Sequence, residues 1–301
     1  MESVIITGAN SGIGKETAKQ LASIHHIKKI YLFCRNPESA KEVQFYLEKI
    51  SGRKIFKIIL VDLCDVDSIK NSIKKLSGSV DGLIMNAGSI DLNEAKKNTK
   101  SGATYLAASN LLGHVILLNE LLNYKLLKKV AIYSSSEIIR GVPILFIKKP
   151  NFKNFTVKEF KNICDGSFFK EYNNTNKSYG YLKYIATLWM SYMSREFKNI
   201  RFVSVSPGTT FGKNTSKKPL TFKRLIIYKI LLLFGLMHKL EVGAKRYVDV
   251  LLNDTFKTGL FYGSPIFRST GDLVEQNNLY TNLNNKNHQD NAFKAISYFI
   301  N

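Results

Sequence analysis

The chain has 301 residues, 45% of them hydrophobic and 12% aromatic, with 19 Gly, 6 Pro and no self-similar period. That composition supplies a sizeable apolar core and excludes disordered, low-complexity, collagen-like and solenoid classes. The 44 basic residues outnumber 23 acidic ones, for a formal charge of +21, but only eight are Arg, and the Lys fall in scattered doublets such as Lys28-Lys29, Lys96-Lys97 and Lys148-Lys149. No block of like charge and no nucleic-acid motif accompanies them, so no nucleic-acid partner is expected.

Short runs rich in Val, Ile and Tyr predict strands near Val4 to Thr7, Ile30 to Cys34, Ile55 to Val61, Gly82 to Met85, Val130 to Ser134, Arg201 to Ser206 and Gly259 to Tyr262. Between them, Ile13 to Ile24, Pro37 to Ile50, Val66 to Leu76, Gly102 to Leu122, Tyr179 to Phe197 and Glu241 to Leu252 have helical length and spacing. Apolar strands joined by helical crossovers read as α/β: a doubly wound, mostly parallel, seven-stranded sheet of Rossmann type with helices on both faces. A single domain over 1–301 is expected, with two excursions at the carboxyl edge of the sheet, about 137–177 and 209–240. The Asn-rich stretch from Gln276 to Asn291 reads as loosely packed before a last short helix.

The three cysteines, Cys34, Cys64 and Cys164, form no CxxC pair, so neither a disulfide framework nor a metal site is expected. His25-His26 and His114 are expected on helices, lack metal-ligand partners and read as solvated or packing residues, and Trp189 reads as helix packing. The opening MESVIITG runs into a buried strand without a basic leader, which points to a cytoplasmic protein.

The first strand leads into Thr7-Gly8-Ala9-Asn10-Ser11-Gly12-Ile13-Gly14-Lys15 and then a helix. Glycines at 8, 12 and 14 let the chain turn tightly and present backbone N–H groups and a helix amino end to a pyrophosphate. The spacing is G-x-x-x-G-x-G and lacks the ending of a P-loop. Where a dinucleotide site for NAD needs an acid to hold the ribose, this chain has Arg35, at the end of the second strand in Phe33-Cys34-Arg35-Asn36. A guanidinium there pairs with a 2′-phosphate, so NADP(H) is the expected cofactor. Tyr179 and Lys183 stand four residues apart, on one helix face. A phenol is a poor acid or base near neutrality until a neighbouring cation moves its pKa.

In chain order, Gly8-x-x-x-Gly12-x-Gly14, Asn86-Ala87-Gly88, Asn110, Ser135, Tyr179 with Lys183, and Pro207-Gly208 follow at the ends of successive elements. This pattern resembles the short-chain dehydrogenase/reductase family from Met1 to about Gly263. Leu111-Leu112-Gly113-His114, Leu32-Phe33-Cys34-Arg35-Asn36, Glu241-Val242-Gly243-Ala244-Lys245 and Thr258-Gly259-Leu260-Phe261-Tyr262 are most similar to the branch holding retinol dehydrogenases, WW-domain oxidoreductase and protochlorophyllide reductase.

The resemblance implies that Tyr179 exchanges the proton at the substrate carbonyl. Lys183 would hold the nicotinamide ribose and depress the Tyr179 pKa. Ser135 would hydrogen-bond the reacting oxygen, with Ser134 and Ser136 as rivals, and Asn110 would hold a water that links Lys183 to solvent. Gly8, Asn10, Ser11, Gly12, Ile13 and Gly14 would cradle the phosphates, and Asp62-Leu63 would contact the adenine. Asn86, Ala87 and Gly88 would lie beside the cofactor, and Pro207, Gly208 and Thr210 would form the nicotinamide-side loop. Two departures stand out: Leu182 precedes Lys183 where Ser is usual, and Ser135 lies 44 positions before Tyr179, a long insertion.

Together these features imply an NADP(H)-dependent oxidoreductase that transfers hydride between nicotinamide and a hydrophobic carbonyl or alcohol. One alternative is a reductase of a carbon–carbon double bond of the protochlorophyllide type, and another is a catalytically silent dinucleotide-sensing regulator. The 13-residue run Leu225 to Met237, with Lys229 inside it, is short of the roughly 20 residues that span a bilayer. It can be read as a cap over the pocket, as core, or as a peripheral contact with an anionic membrane, for which its basic lead-in Lys217-Lys218 and Phe222-Lys223-Arg224 is suited. The oligomeric state stays open.

Overall fold

The computed structural model describes residues 1–91, 93–170, 177–211 and 229–300. Among the described residues ten strands are formed: β1 (Ser3–Thr7), β2 (Lys29–Cys34), β3 (Phe56–Leu60), β4 (Val80–Met85), β5 (Leu127–Ser134), β6 (Arg201–Val205), β7 (Thr210–Phe211), β8 (His238–Lys239), β9 (Phe261–Gly263) and β10 (Val274–Glu275). Eight build one sheet in the order β10-β9-β6-β5-β4-β1-β2-β3. Every pairing in it is parallel except β10 on β9.

The seven predicted strands are therefore present, and the sheet has one more than the sequence foretold. β10 escapes a reading of periodicity because it is two residues long, too short to show alternation. Val4, Ile5 and Ile6 of β1 are fully buried, as a central parallel strand covered on both faces requires.

Six helices cross between the strands or cover them: α1 (Gly12–Ala22), α2 (Pro37–Ser51), α3 (Val66–Ile73), α4 (Tyr105–Asn123), α6 (Ser178–Glu196) and α7 (Leu240–Leu252), with α5 (Val157–Cys164) inside the first excursion and α8 (Lys286–Ile300) at the end. Residues of α1, α2 and α7 join one apolar cluster on one face of the sheet, and those of α3, α4, α6 and α8 join a second on the other. α4 is long and apolar enough to cross a membrane, yet two thirds of it is buried within the protein, so its apolar surface is used by the core.

Two expectations are corrected. The tail is packed at its ends, while 278, 279, 281, 282 and 284–287 between them are exposed: Gln276 and Asn277 are buried, Asn277 Oδ1 accepts from the Phe261 N–H at 2.8 Å, and α8 is 15 residues long. Its Ala292, Ala295, Ile296 and Phe299 recur at helical spacing and are buried. His25-His26 lie in the turn beyond α1, not on a helix. The first excursion is held by its own aromatic cluster, in which the Phe152 ring stands 4.9 Å from that of Tyr181 and 4.8 Å from that of Tyr184, both on α6. That packing fixes the excursion beside the helix that carries Tyr179.

Candidate active site

Strand order reverses between β1 and β4, and the crevice opens beyond their carboxyl ends. The chain leaves β1 through Gly8 and Gly12, both left-handed (φ 66° and 53°), a region that costs any other residue strain. Gly14 is needed for a different reason: a Cβ there would stand 2.4 Å from the Gly8 carbonyl oxygen and 2.6 Å from Asn86 Nδ2. The amino end of α1 is uncapped, since Ser11 makes no side-chain cap and the first turn holds no acid. Asn36, Asp65 and Thr156 cap α2, α3 and α5 with their own side chains; α6 and α7 start uncapped as α1 does, but only α1 is entered through the glycine turn. N–H groups left without a cap at a helix start form an anion site, so these residues fit the pyrophosphate of a dinucleotide.

Neighbouring segments lock the turn. Asn86 Nδ2 donates to the Thr7 carbonyl and the Ala87 N–H to Thr7 Oγ1, each at 2.9 Å. Thr7 Oγ1 also meets the buried His114 Nε2 at 3.0 Å. Asn10 Nδ2 donates to Ser39 Oγ at 2.9 Å, joining the turn to the start of α2, while Ser11 is exposed and Ile13 half-buried. Arg35 is exposed at the end of β2, followed by the Asn36 cap. Asp62 Oδ1 accepts from the Cys64 N–H at 2.9 Å, and the Leu63 carbonyl packs so closely on Gly113 that a Cβ there would come within 2.1 Å.

The proton-transfer residues converge from three elements. Asn110 lies within a π-helical turn, Ala108–Leu112, inside α4, a distortion that recurs at functional sites. Its Nδ2 donates to the carbonyls of Leu106 (3.0 Å) and Ser89 (2.9 Å), while its buried Oδ1 has no partner. Lys183 is 2% exposed and its Nζ donates to the Ser134 carbonyl at 2.7 Å. A Cβ on Gly88 would stand 2.6 Å from Asn110 Oδ1 and 3.7 Å from Lys183 Nζ, so both groups border one spot at the end of β4. An orphaned acceptor beside a buried ammonium suits a bridging water and a ribose hydroxyl.

Tyr179 sits one turn before Lys183, with Nζ 5.4 Å from its ring centroid. Ser135 Oγ lies 2.8 Å from Thr187 Oγ1, one turn beyond Lys183. Of its rivals, Ser134 Oγ pairs with the Tyr247 hydroxyl at 2.5 Å, and Ser136 Oγ accepts from the Ile138 N–H at 3.3 Å.

Burial governs the electrostatics. It brings the Lys183 ammonium down to about 7. It pushes the Tyr179 phenol up, and the Glu137 charge adds to that rise. The depression of the Tyr179 pKa implied by the resemblance therefore does not arise from this chain alone, and the phenol is held as a proton donor. Burial also lifts the thiols of Cys34, Cys64 and Cys164 to about 12, which leaves them unreactive.

On the nicotinamide side, Gly208 is left-handed (φ 75°). Thr210 Oγ1 donates to the carbonyls of Pro207 (3.0 Å) and Gly208 (3.1 Å), and His238 Nε2 lies 2.7 Å from the same Pro207 oxygen. Within the second excursion, residues 212–228 lie outside the described residues, and with them Lys217-Lys218, Phe222-Lys223-Arg224 and the start of the apolar run.

Sequence reasoning missed the buried Glu137. Its carboxylate accepts from Ser206 Oγ, from the Ser264 N–H (3.0 Å) and Oγ (2.8 Å), and lies 3.4 Å from Arg246 Nη1. Nothing local marked it: Glu137 stands three residues beyond the end of β5 and reads as a surface charge until its partners are known.

A family model described as short chain dehydrogenase matches residues 2–133. Human retinol dehydrogenase 11 is 29% identical over 212 residues, 68% of this chain and 60% of that protein. Short-chain dehydrogenase chyC of Penicillium rubens is 26% identical over 92% of this chain and 94% of its own. WW domain-containing oxidoreductase of Drosophila melanogaster is 38% identical over 28% of this chain and 21% of its own. The chain thus spans less than two thirds of several curated relatives it matches, among them retinol dehydrogenase 11. Among solved structures, salutaridine reductase from Papaver somniferum superposes with a TM-score of 0.63 at 18% identity, covering 88% of this chain and all of the other. The NADPH-bound carbonyl reductase from chicken fatty liver gives 0.58 at 19% identity, over 87% and 95%. At these identities the superpositions establish a common fold.

Proposed function

We propose that this chain, which belongs to the short-chain dehydrogenase/reductase family, is an NADP(H)-dependent oxidoreductase acting on a hydrophobic carbonyl or alcohol. The carrying observation is that Asn110 Oδ1 and Lys183 Nζ both border Gly88, beyond the end of β4, one helical turn from Tyr179 and beside the β1 end that leads into the uncapped start of α1. The nicotinamide supplies or accepts the hydride when bound. The chain's own residues do the rest. The start of α1 and the glycine turn hold the phosphates, and Arg35 faces solvent where a 2′-phosphate would extend.

The half-buried Tyr179 phenol, its pKa pushed up so that it is protonated at neutral pH, gives its proton to the substrate oxygen as the carbonyl is reduced. Lys183 and Asn110 return a proton to it through water. Ser135 stands at the end of β5 with its hydroxyl on Thr187, two turns along α6 from Tyr179, so its side chain would have to turn away from Thr187 to orient the reacting oxygen. The aromatic packing of the first excursion over α6 favours a lipophilic substrate.

The test is NADPH oxidation by purified protein against apolar aldehydes and ketones in the dark, and against protochlorophyllide in light, with Tyr179→Phe as control. Dark turnover of a carbonyl should fall by a factor on the order of 100 or more in the variant, with NADPH affinity unchanged. Turnover confined to the illuminated pigment would move the protein to double-bond reduction. Silence across the panel despite tight NADPH binding would make it a sensor.

A further inference from the structure

Three loop tips leave the carboxyl edge of the sheet and end in exposed apolar side chains. After β5, the chain folds back on itself where Val142 and Ile147 exchange backbone hydrogen bonds of 2.8 and 3.1 Å, and the tip between them presents Ile144 (49% exposed) and Phe146 (94%). After β9, the turn Pro265 to Arg268 presents Ile266 and Phe267. Before β8, a short helical turn presents Leu233 (82%) and Phe234 (71%).

The tips are neighbours, because their bases are tied together. Arg140 Nη2 donates to the carbonyls of Ser264 (3.2 Å), Pro265 (3.1 Å) and Arg268 (2.5 Å), joining the first tip to the second. Ser269 Oγ donates to the Leu236 carbonyl at 2.9 Å and Thr270 Oγ1 to that of Gly235, joining the second to the third.

Backbone and charge distinguish this surface from casual exposure. Phe146 and Phe267 are two of the four non-glycine residues described with left-handed φ (55° and 63°), a conformation costly for a bulky side chain and meaningful where it persists. Residues 140–150, 229–240 and 264–270 contain Arg140, Lys148, Lys149, Lys229, Lys239 and Arg268 and no Asp or Glu. Lys148, Lys149, Lys229, Lys239 and Arg268 are exposed.

We propose that these three tips dock the protein on an anionic lipid bilayer, with the phenylalanines and leucine inserted at the headgroup boundary and the lysines against the phosphates. Apolar tips ringed by cations match the two attractions that hold peripheral proteins to such membranes. A second copy of the chain would set this excess of cations against its like, which charge repulsion opposes. The arrangement places the membrane beside the crevice, where a lipophilic substrate partitions.

The measurement is flotation of the whole protein with vesicles of phosphatidylcholine alone or mixed with phosphatidylserine, and it needs no turnover. Binding should require phosphatidylserine, weaken with salt, and drop by roughly tenfold or more in Lys148→Gln/Lys149→Gln. Phe146→Ser/Phe267→Ser and Leu233→Ser/Phe234→Ser should lose it while keeping NADPH affinity, which certifies folding. Equal binding by parent and variants, or none to the anionic vesicles, overturns the proposal. So does a concentration-dependent dimer that these variants abolish in vesicle-free solution, since the tips would then meet another copy.

Discussion

Lys183 is an ammonium in a place that penalises its charge. It donates to the Ser134 carbonyl at 2.7 Å, and burial brings it from 10.5 to about 7. Below about 7 it is charged in folded and unfolded chains alike, and the full penalty applies. Between 7 and 10.5 the unfolded chain binds a proton that the folded chain does not, so stability rises with pH across that window. Lys183→Met lacks this dependence. The stability of the parent relative to the variant should therefore climb by a few kcal/mol between about pH 6 and about pH 10, read by urea unfolding at each pH. A constant difference would mean that Lys183 titrates as it would in solvent. The four-residue spacing to Tyr179 was legible in the sequence. The burial that sets both pKa values was not, nor the Glu137 charge that adds to the Tyr179 rise, because Tyr133, whose ring lies 4.7 Å from Lys183 Nζ, and Glu137 come from β5 and the turn after it, more than 40 positions away.

At the scale of elements, what the sequence revealed best were features with a period or a hard steric demand. Buried strands, amphipathic helices and the glycine turn were legible because each repeats or forbids a side chain locally. β10 had no length in which to repeat, and α8 was obscured by the polar Lys286-Asn287-His288 at its start, although Ala292, Ala295, Ile296 and Phe299 already marked a buried face. The connection from β2 to α2 shows how an element end acquires a role. Asn36 caps α2 by accepting from the Ser39 N–H at 2.8 Å, and Ser39 Oγ in turn accepts from Asn10 in the glycine turn. The backbone beneath Arg35 is thereby held against the phosphate cradle while its guanidinium faces solvent. Arg35→Asp replaces an attraction for a 2′-phosphate by a repulsion, and NADPH affinity should fall by roughly tenfold to a hundredfold. NADH affinity should change little, since the phosphate is what the guanidinium reads. Fluorescence titration of both cofactors decides it, and equal losses refute the assignment.

Across the whole molecule, one buried ion pair joins segments far apart in sequence. Glu137 follows β5 and Arg246 lies on α7, 109 residues later. Around them close Ser206 after β6, Ser264 after β9 and the Gly271 carbonyl, which accepts from Arg246 Nη2 at 2.6 Å. The pair ties together the strand ends that carry Ser135 and the Pro207 loop, so it sets the spacing of the crevice. No local pattern could announce it, since each charge reads as a surface residue until its partner is known. Removing one member strands the other in a low-dielectric interior, and Arg246→Met should cost about 3–5 kcal/mol. The serine donors that remain around Glu137 favour the lower end of that range. Glu137→Gln keeps acceptors for Ser206 and Ser264 while removing the charge, so combining it with Arg246→Met should recover part of the loss. Urea midpoints of the parent, the two single variants and the double variant complete the cycle. A double variant less stable than Arg246→Met alone, with losses that simply add, would show that the two side chains act separately and that the strand ends are held by the serines.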